Sequence, residues 1–456
     1  MADPVDLVIL GAGSGGYAAA LRAAELGMSV VMVERDKVGG TCLHRGCIPT
    51  KALLHAAEVA DSAKNGSKVG VKSSFDGIDM DGVNSYKDGV VTKMFKGLTG
   101  LVKSRKIEVV EGEGRLASQT SVQVGDRTIE AEHVILATGS ESKSLPGITI
   151  DGERVLSSEH ALKLDRVPNS VIVLGAGAIG CEFASVWNSF GSDVTIIEAL
   201  PHLVPAEEET SSKLLERAFR RAGITQHLGT KVSDVDTSGD GVTVTLENGK
   251  TATAEILLVA VGRGPVSKGL GYEENGVEVD RGYVKVDAYC QTNVPTISAI
   301  GDLRPGLQLA HVGFAEGILV AERLAGQRVV PVDYDGVPRV TYSHPEVASV
   351  GLTSKQAKER GYDVVTAGYD FAGNGRAQIL QTAGSVNLVA AKDGPVLGVH
   401  MVGERVGDLV AEAQLIVNWE ATADDVAPLI HPHPTMSEAV GEAHLALAGK
   451  PLHSHS

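Results

Sequence analysis

Two glycine loops of one pattern, 164 residues apart, constrain this 456-residue chain more than any other feature. Gly11-Ala12-Gly13-Ser14-Gly15-Gly16 follows the apolar run Val8-Ile9-Leu10, and Gly175-Ala176-Gly177-Ala178-Ile179-Gly180 follows Ile172-Val173-Leu174. Each loop opens an alanine-rich helical stretch. A second apolar strand comes next, Val30–Val33 in one copy and Val194–Ile197 in the other, ending at Glu34 and Glu198. Each glutamate stands 18 residues after its third glycine, Gly16 or Gly180. The first glycine of such a loop permits a tight turn, and the second lets backbone approach a pyrophosphate. The third lets helix pack closely on strand, so that the helix N-terminus faces the phosphates. The acidic residue accepts hydrogen bonds from ribose hydroxyls. One such loop is weak evidence; two complete copies predict two dinucleotide sites.

Further apolar runs end in glycine near the close of each copy, Val134-Ile135-Leu136-Ala137-Thr138-Gly139 and Leu257-Leu258-Val259-Ala260-Val261-Gly262. A third run, Ala299-Ile300-Gly301, carries Asp302 at its tip, either as a helix N-cap or as a ligand to a flavin's ribityl chain. Beyond Pro338 the pattern changes. Tyr342–Val350, Ser385–Ala391 and Val396–Val402 read as antiparallel strands, with helices at Ser354–Arg360 and Asp408–Trp419. The expected fold class is α/β, with two Rossmann-like domains and a C-terminal α+β domain.

Only four cysteines occur, and two of them, Cys42 and Cys47, lie in Gly40-Thr41-Cys42-Leu43-His44-Arg45-Gly46-Cys47-Ile48-Pro49-Thr50-Lys51 just after the first loop. Two thiols this close, placed where a flavin or nicotinamide would lie, suggest a disulfide that opens and closes during catalysis. A structural zinc site needs about four ligands, and only His44 is near, so no metal is expected. Pro49 suits the first turn of a following helix. Cys47 would then sit at a helix N-terminus, where the dipole favours a thiolate. Cys181 and Cys290 read as buried small residues.

The net charge of −16, from 41 basic and 57 acidic side chains, argues against nucleic acid or an anionic membrane as partner and leaves a basic protein partner open. The N-terminus shows no basic signal-peptide region, and no apolar run is long enough to span a bilayer. A soluble cytoplasmic protein is expected. The tail Leu452–Ser456 is expected to fray.

The two loops, the Gly-Gly-Thr-Cys-x4-Cys-Ile-Pro-x-Lys segment and His433-Pro434-Thr435-Met436-Ser437-Glu438 occur in the order seen in pyridine nucleotide–disulfide oxidoreductases, which the chain resembles along essentially its whole length. Within that family it is most similar to the members that reoxidise dihydrolipoamide, the third component of 2-oxoacid dehydrogenase complexes. The resemblance implies an FAD domain over 1–147, an NAD domain over 148–270, a return segment 271–337 completing the flavin domain, and an interface domain 338–456 forming a homodimer. Cys42 would be the thiol that meets substrate and Cys47 the charge-transfer thiol against the flavin. Lys51 would lie near the reactive flavin nitrogen, paired with Glu182. His433 would be the acid–base group, oriented by Glu438 and supplied by the opposite subunit. Gly114, Thr138, Gly139, Asp302 and Ala310 join Gly11, Gly13, Gly16 and Glu34 as flavin-site positions; Val232 and Gly262 join Gly175, Gly177, Gly180 and Glu198 as nicotinamide-site positions.

A carboxylate at Glu198 favours the free 2′-hydroxyl of NAD over a 2′-phosphate, and Ala199-Leu200-Pro201-His202 adds no arginine cluster. The implied partners are the lipoyl domains and the subunit-binding domain of a dihydrolipoamide acyltransferase. Three departures stand out. His44-Arg45 lies between the cysteines where many members have Asn-Val, Gly264 follows Arg263 in place of a second arginine, and Asn387 replaces a common lysine. The cationic pair would favour a thiolate or recruit an acidic substrate, or else lie exposed on a short loop. Mercuric reductase would need cysteines after Cys290, and large thioredoxin reductases a redox pair in the tail; neither is present. Glutathione-type reductases favour NADPH, against Glu198. Mycothiol disulfide reductase remains as an enzymatic alternative, and a docking flavoprotein as one of another class.

Overall fold

The computed structural model describes residues 4–453. They divide into two compact units, one of residues 4–52, 81–143 and 262–332, the other of 53–80, 144–261 and 333–453. The expected fraying at 454–456 lies outside the described residues. Just before it, His453 is held, with its ring Nδ1 2.7 Å from Glu442 and its backbone N–H donating to the same carboxylate.

In the first unit the strands run Glu108–Glu111, Val30–Glu34, Val5–Leu10 and Arg127–Leu136 in parallel order, and Ile297–Ala299 adds alongside the last. Arg127–Leu136 has two characters. Its first half pairs antiparallel with Ser121–Val124, and its second half, from Ala131, pairs parallel with Val5–Leu10. Burial follows: Ile129 and Ala131 alternate with exposed neighbours, whereas Val134, Ile135 and Leu136 are all buried. A strand covered on both faces reads as a continuous apolar run, and one covered on a single face alternates. On this sheet the helix Ser14–Glu25 packs against Ala310–Leu324 through glycine. A Cβ on Gly317 would lie 2.5 Å from the Gly15 carbonyl oxygen, so the two backbones touch.

The second unit holds the second copy of the pattern. Thr225–Leu228, Asp193–Glu198, Ser170–Leu174, Ile256–Val259 and Val155–Leu156 form a parallel sheet in that order. Leu174, Ile197, Leu257 and Val259 share a core with Val242, Val244 and Leu246 of a three-stranded antiparallel sheet. The same unit carries a five-stranded antiparallel sheet, ordered Arg339–Thr341, Glu346–Gly351, Val396–Gly403, Ser385–Ala391, Val364–Asp370. Val406–Asn418 and Glu438–Leu447 cover it through Val410, Ala413, Ile416, Ala439, Val440 and Ala443.

One strand expectation needs correction. Tyr342–Val350 is not a single strand: pairing stops at Thr341, the chain breaks through Tyr342–Pro345 with a cis His344–Pro345 bond, and the next strand is Glu346–Gly351. Proline donates no ladder hydrogen bond, and the freed Tyr342 and His344 N–H groups donate instead to Glu182 and Ser185 of the helix Ala178–Phe190, each at 3.0 Å.

Candidate active site

Each glycine loop shows a division of labour. Gly11 has φ +103° and Gly175 φ +101°, and a Cβ on either would fall within 2.5 Å of a carbonyl oxygen on the neighbouring strand end, Ala137 or Ala260. A Cβ on Gly16 would meet the Gly11 carbonyl oxygen at 1.9 Å, and one on Gly180 the Gly175 oxygen at the same distance. The second glycines are different. Gly177 has nothing within 4 Å of a Cβ, and Gly13 has only the Gly40 Cα at 4.0 Å. First and third glycines thus close strand on helix, while the second leaves room for a phosphate at the helix N-terminus. Glu34 accepts from the Ala12 and Asp36 N–H groups at 2.8 and 3.0 Å, and Glu198 from Ala176 and Leu200 at 2.7 and 2.8 Å. The backbone aims both carboxylates, and each keeps lone pairs for ribose hydroxyls. The residues present fit a dinucleotide at both loops.

This geometry makes a test at Gly16. Gly16→Ala puts a methyl against the Gly11 carbonyl, an overpacking worth about 1–3 kcal/mol, and moves the helix off the phosphate position. The expected protein purifies with most of its flavin missing, read as the ratio of 450 to 280 nm absorbance; full flavin content would refute the cradle.

The cysteine segment is tied to the first loop by backbone. Gly39 N–H donates to the Ala12 carbonyl at 2.8 Å, and Gly39 and Gly40 both hold positive φ. A Cβ on Gly40 would lie 2.6 Å from the Gly13 Cα. The short helix Gly40–Arg45 carries Cys42, Gly46 breaks it, and Cys47 is the first residue of the helix Cys47–Asn65, with Pro49 in its first turn. Both cysteines are half-buried. The hydrogen bond and charge of Cys47, together with burial, push the Cys42 thiol up, against the opposing charge of Lys51. Cys42 thus holds its proton the more firmly, and Cys47 stands at a helix N-terminus, where the dipole favours a thiolate.

Sequence reasoning missed Tyr17, which reads as helix core. Its phenol is pushed up to about 12 by burial and by the charges of Cys42 and Cys47, so its hydroxyl stays neutral beside the pair.

His44 and Arg45, between the cysteines, both have partners within the fold. His44 Nε2 lies 2.9 Å from the Val38 carbonyl, and its ring stands edge-on to Phe95 with centroids 5.0 Å apart. Arg45 pairs with Asp36 at 2.6 Å. Both pin the Gly40–Arg45 helix to the loop after Glu34.

Thr138 Oγ1 donates to the Val266 carbonyl at 2.5 Å, and the Gly139 carbonyl accepts from Val266 N–H. Asp302 caps no helix; it sits within the single turn Gly301–Leu303 and accepts from Ser140 Oγ at 2.5 Å, while Arg263 Nε donates to that oxygen at 2.7 Å. Gly264, the missing arginine, lies against Lys143, whose Cε would stand 2.9 Å from a Cβ. Gly114 is packed: a Cβ there would meet Val33 and Leu10 at 2.6 and 2.7 Å, which leaves its backbone as the group on offer. Ala310 begins the helix Ala310–Leu324, Val232 begins the strand Val232–Asp236, and Gly262 has φ +103° with open space around it. Asn387 donates to Ser385 Oγ at 2.7 Å.

In the second unit His433 Nδ1 lies 2.8 Å from Glu438 Oε1, and Glu438 Oε2 accepts from Thr435 N–H at 2.7 Å. Burial alone would raise the Glu438 carboxyl, but the Thr435 N–H and His433 hold it below its ordinary value. Glu438 is the first residue of its helix, with Ser437 at the N-cap. Glu182 spends one oxygen on Tyr342 N–H. Among the described residues no cluster of three or more His, Cys, Asp or Glu can hold a metal ion, and no helix is long and apolar enough to cross a membrane.

Known proteins share this layout. The family model for pyridine nucleotide-disulphide oxidoreductases matches residues 5–317, and the model for that family's dimerisation domain matches residues 337–444. The mitochondrial dihydrolipoyl dehydrogenase of Pisum sativum is 42% identical, covering 99% of this chain and 93% of its own. A dihydrolipoyl dehydrogenase of Bacillus subtilis is 41% identical over 99% of this chain and all of its own. Among solved structures, LpdA from Mycobacterium tuberculosis superposes with a TM-score of 0.90 at 26% identity, covering 97% of this chain and 99% of that one.

Proposed function

The chain belongs to the pyridine nucleotide–disulphide oxidoreductases, and we propose that within them it reoxidises protein-bound dihydrolipoamide with NAD as acceptor. It is a flavoprotein disulfide oxidoreductase, and FAD and NAD are its cofactors. The observation that carries the reading is the backbone attachment of the Cys42–Cys47 segment to the first dinucleotide loop through Gly39 and Gly40. The substrate follows from relatives named dihydrolipoyl dehydrogenase along the full chain.

His433 takes the proton of one dihydrolipoamide thiol. The thiolate attacks Cys42 Sγ, the Cys42–Cys47 bond breaks, and Cys47 leaves as a thiolate. His433 releases that proton to solvent and takes the proton of the second substrate thiol, whose thiolate attacks the lipoyl sulfur bonded to Cys42 in the mixed disulfide. Oxidised lipoamide departs, and Cys42 leaves as a thiolate that takes a proton from His433. Two electrons now reside in the cysteine pair, and bound flavin supplies the redox chemistry that carries them to NAD. Lys51 belongs to the flavin's reactive side. The family's dimerisation domain supplies the interface of a homodimer, and His433 serves the cysteine pair of a second copy. The protein partners are the lipoyl and subunit-binding domains of an acyltransferase.

Steady-state assays with NADH against lipoamide, glutathione disulfide and mycothiol disulfide test this. Turnover is expected with lipoamide at least about 100-fold above the other two in kcat/KM, near 2.7 kcal/mol of discrimination. Absence of lipoamide turnover would sink the substrate assignment.

A further inference from the structure

We propose that His431 and Glu412 form a second charged dyad whose task is to position the loop that carries His433. The inference rests on the reading of His433 as the acid–base group. His431 and His433 alternate with Pro432 and Pro434, so the backbone between them has little freedom. The two rings have different environments. The His431 side chain is 11% exposed and that of His433 77%. His431 Nε2 lies 2.7 Å from Glu412 Oε1 on the helix Val406–Asn418. Its other face rests on the helix Glu438–Leu447 at Gly441, where a Cβ would stand 2.6 Å from Nδ1. Glycine at 441 thus makes the seat for the ring, one turn after the glutamate that orients His433.

Other ties of the loop run through Thr435, beyond His433. Thr435 Oγ1 donates to the Pro432 carbonyl at 2.6 Å, and Asn374 Nδ2 donates to the Thr435 carbonyl at 3.0 Å. His431–Glu412 is the side-chain tie on the near side, so the two sets bracket His433. Breaking one partner of a part-buried pair leaves the other uncompensated, and the loop is then free to shift. A displacement near 1 Å at a reacting group costs up to about 100-fold in rate.

The charged groups facing His431 are Glu412, Glu438 at the start of the adjoining helix, and His444 further along it. The Glu412 hydrogen bond raises His431 above its ordinary value against the opposing effect of burial, with Glu438 adding to the rise. His444 is pushed down by burial, and its Nδ1 lies 2.7 Å from the Val440 carbonyl. A raised histidine keeps its charged partner interaction at low pH and loses it as pH rises through the raised value. The charged dyad therefore persists to higher pH than an ordinary histidine pair and is lost as pH rises through the raised value.

Rapid-mixing experiments on the flavin-loaded protein separate the two half-reactions. In His431→Asn and Glu412→Gln, reduction of the cysteine pair by dihydrolipoamide is expected to slow between about 10- and 100-fold. Reduction by NADH, which does not use His433, should stay at the wild-type rate. The alkaline limb of the dithiol reaction should move to lower pH in Glu412→Gln, because His431 loses the partner that raises it. The double variant should be no slower than the worse single one, since both remove one interaction. Wild-type dithiol rates with an unchanged pH profile would overturn the proposal, as would equal loss in both half-reactions. Dithiothreitol, which needs no lipoyl recognition, serves as a second dithiol. If lipoamide fails with the wild-type protein while dithiothreitol still distinguishes the variants, the substrate assignment falls and the dyad stands.

Discussion

Replacing His433 with glutamine is expected to slow reduction of the Cys42–Cys47 pair by dihydrolipoamide between about 100- and 10,000-fold. The magnitude follows from how the imidazole is held. Glu438 accepts the Thr435 N–H at 2.7 Å, and its other oxygen lies 2.8 Å from His433 Nδ1. An ionised carboxylate only accepts, so Nδ1 carries the proton and Nε2 is left as the base. Because its carboxyl is held below the ordinary value, Glu438 stays ionised throughout the neutral range and stabilises the imidazolium that forms. Glutamine retains size and a hydrogen bond to Glu438 but accepts no proton. Without a base the substrate thiol enters only as the small fraction already ionised. Stopped-flow absorbance during reduction by dihydrolipoamide and by NADH gives the discriminating comparison. The first should collapse while the second holds, and a wild-type rate in the first would remove His433 from the chemistry.

The contrast between His433 and His44 shows what a sequence discloses about a site. His433 and Glu438 lie five residues apart across a helix start, and their meeting is a local matter that spacing carries. The glycine loops are local too: the carbonyl that Gly16 must clear belongs to Gly11. His44 and Arg45 are settled by Phe95 and Asp36, partners chosen by the tertiary fold, and nothing in Leu43-His44-Arg45-Gly46 names them. Tyr17 escaped notice for the same reason, since its proximity to the cysteines depends on how Gly39 and Gly40 fold back onto the first loop. Strands show a parallel limit. Ser385–Ala391 lies inside its sheet and was legible from its apolar run, whereas Val364–Asp370 is an edge strand with largely uncovered side chains and gave no comparable signal. The misread Tyr342–Val350 segment has β-forming residues on both sides of Pro345. Composition favoured a strand there, and the missing N–H decided otherwise.

Cys47→Ser is expected to abolish lipoamide turnover, by more than about 1,000-fold, while leaving flavin bound and making Cys42 more reactive. Serine cannot form the disulfide, so two-electron storage in the pair is lost outright. Gly11, Gly13, Gly16 and Glu34, which shape the first dinucleotide loop, are unchanged in this variant, so flavin is expected to stay. The long-wavelength thiolate-to-flavin absorbance of the reduced protein should vanish if its source is Cys47. The behaviour of Cys42 supplies a separate readout. In the reduced wild type, the hydrogen bond to Cys47 is the largest influence holding the Cys42 proton, with burial and the Cys47 charge acting the same way and Lys51 opposing them. Serine removes the charge and reverses the hydrogen bond, because a neutral hydroxyl can donate to a Cys42 thiolate. Burial then remains against Lys51 and the backbone N–H of position 47, and the Cys42 pKa falls. Only the thiolate is nucleophilic, so alkylation of Cys42 by iodoacetamide should begin at lower pH in the variant than in the reduced wild type. Identical pH–rate profiles would show that the first ionisation of the pair does not reside on Cys47, and the assignment of the two thiols would have to be exchanged.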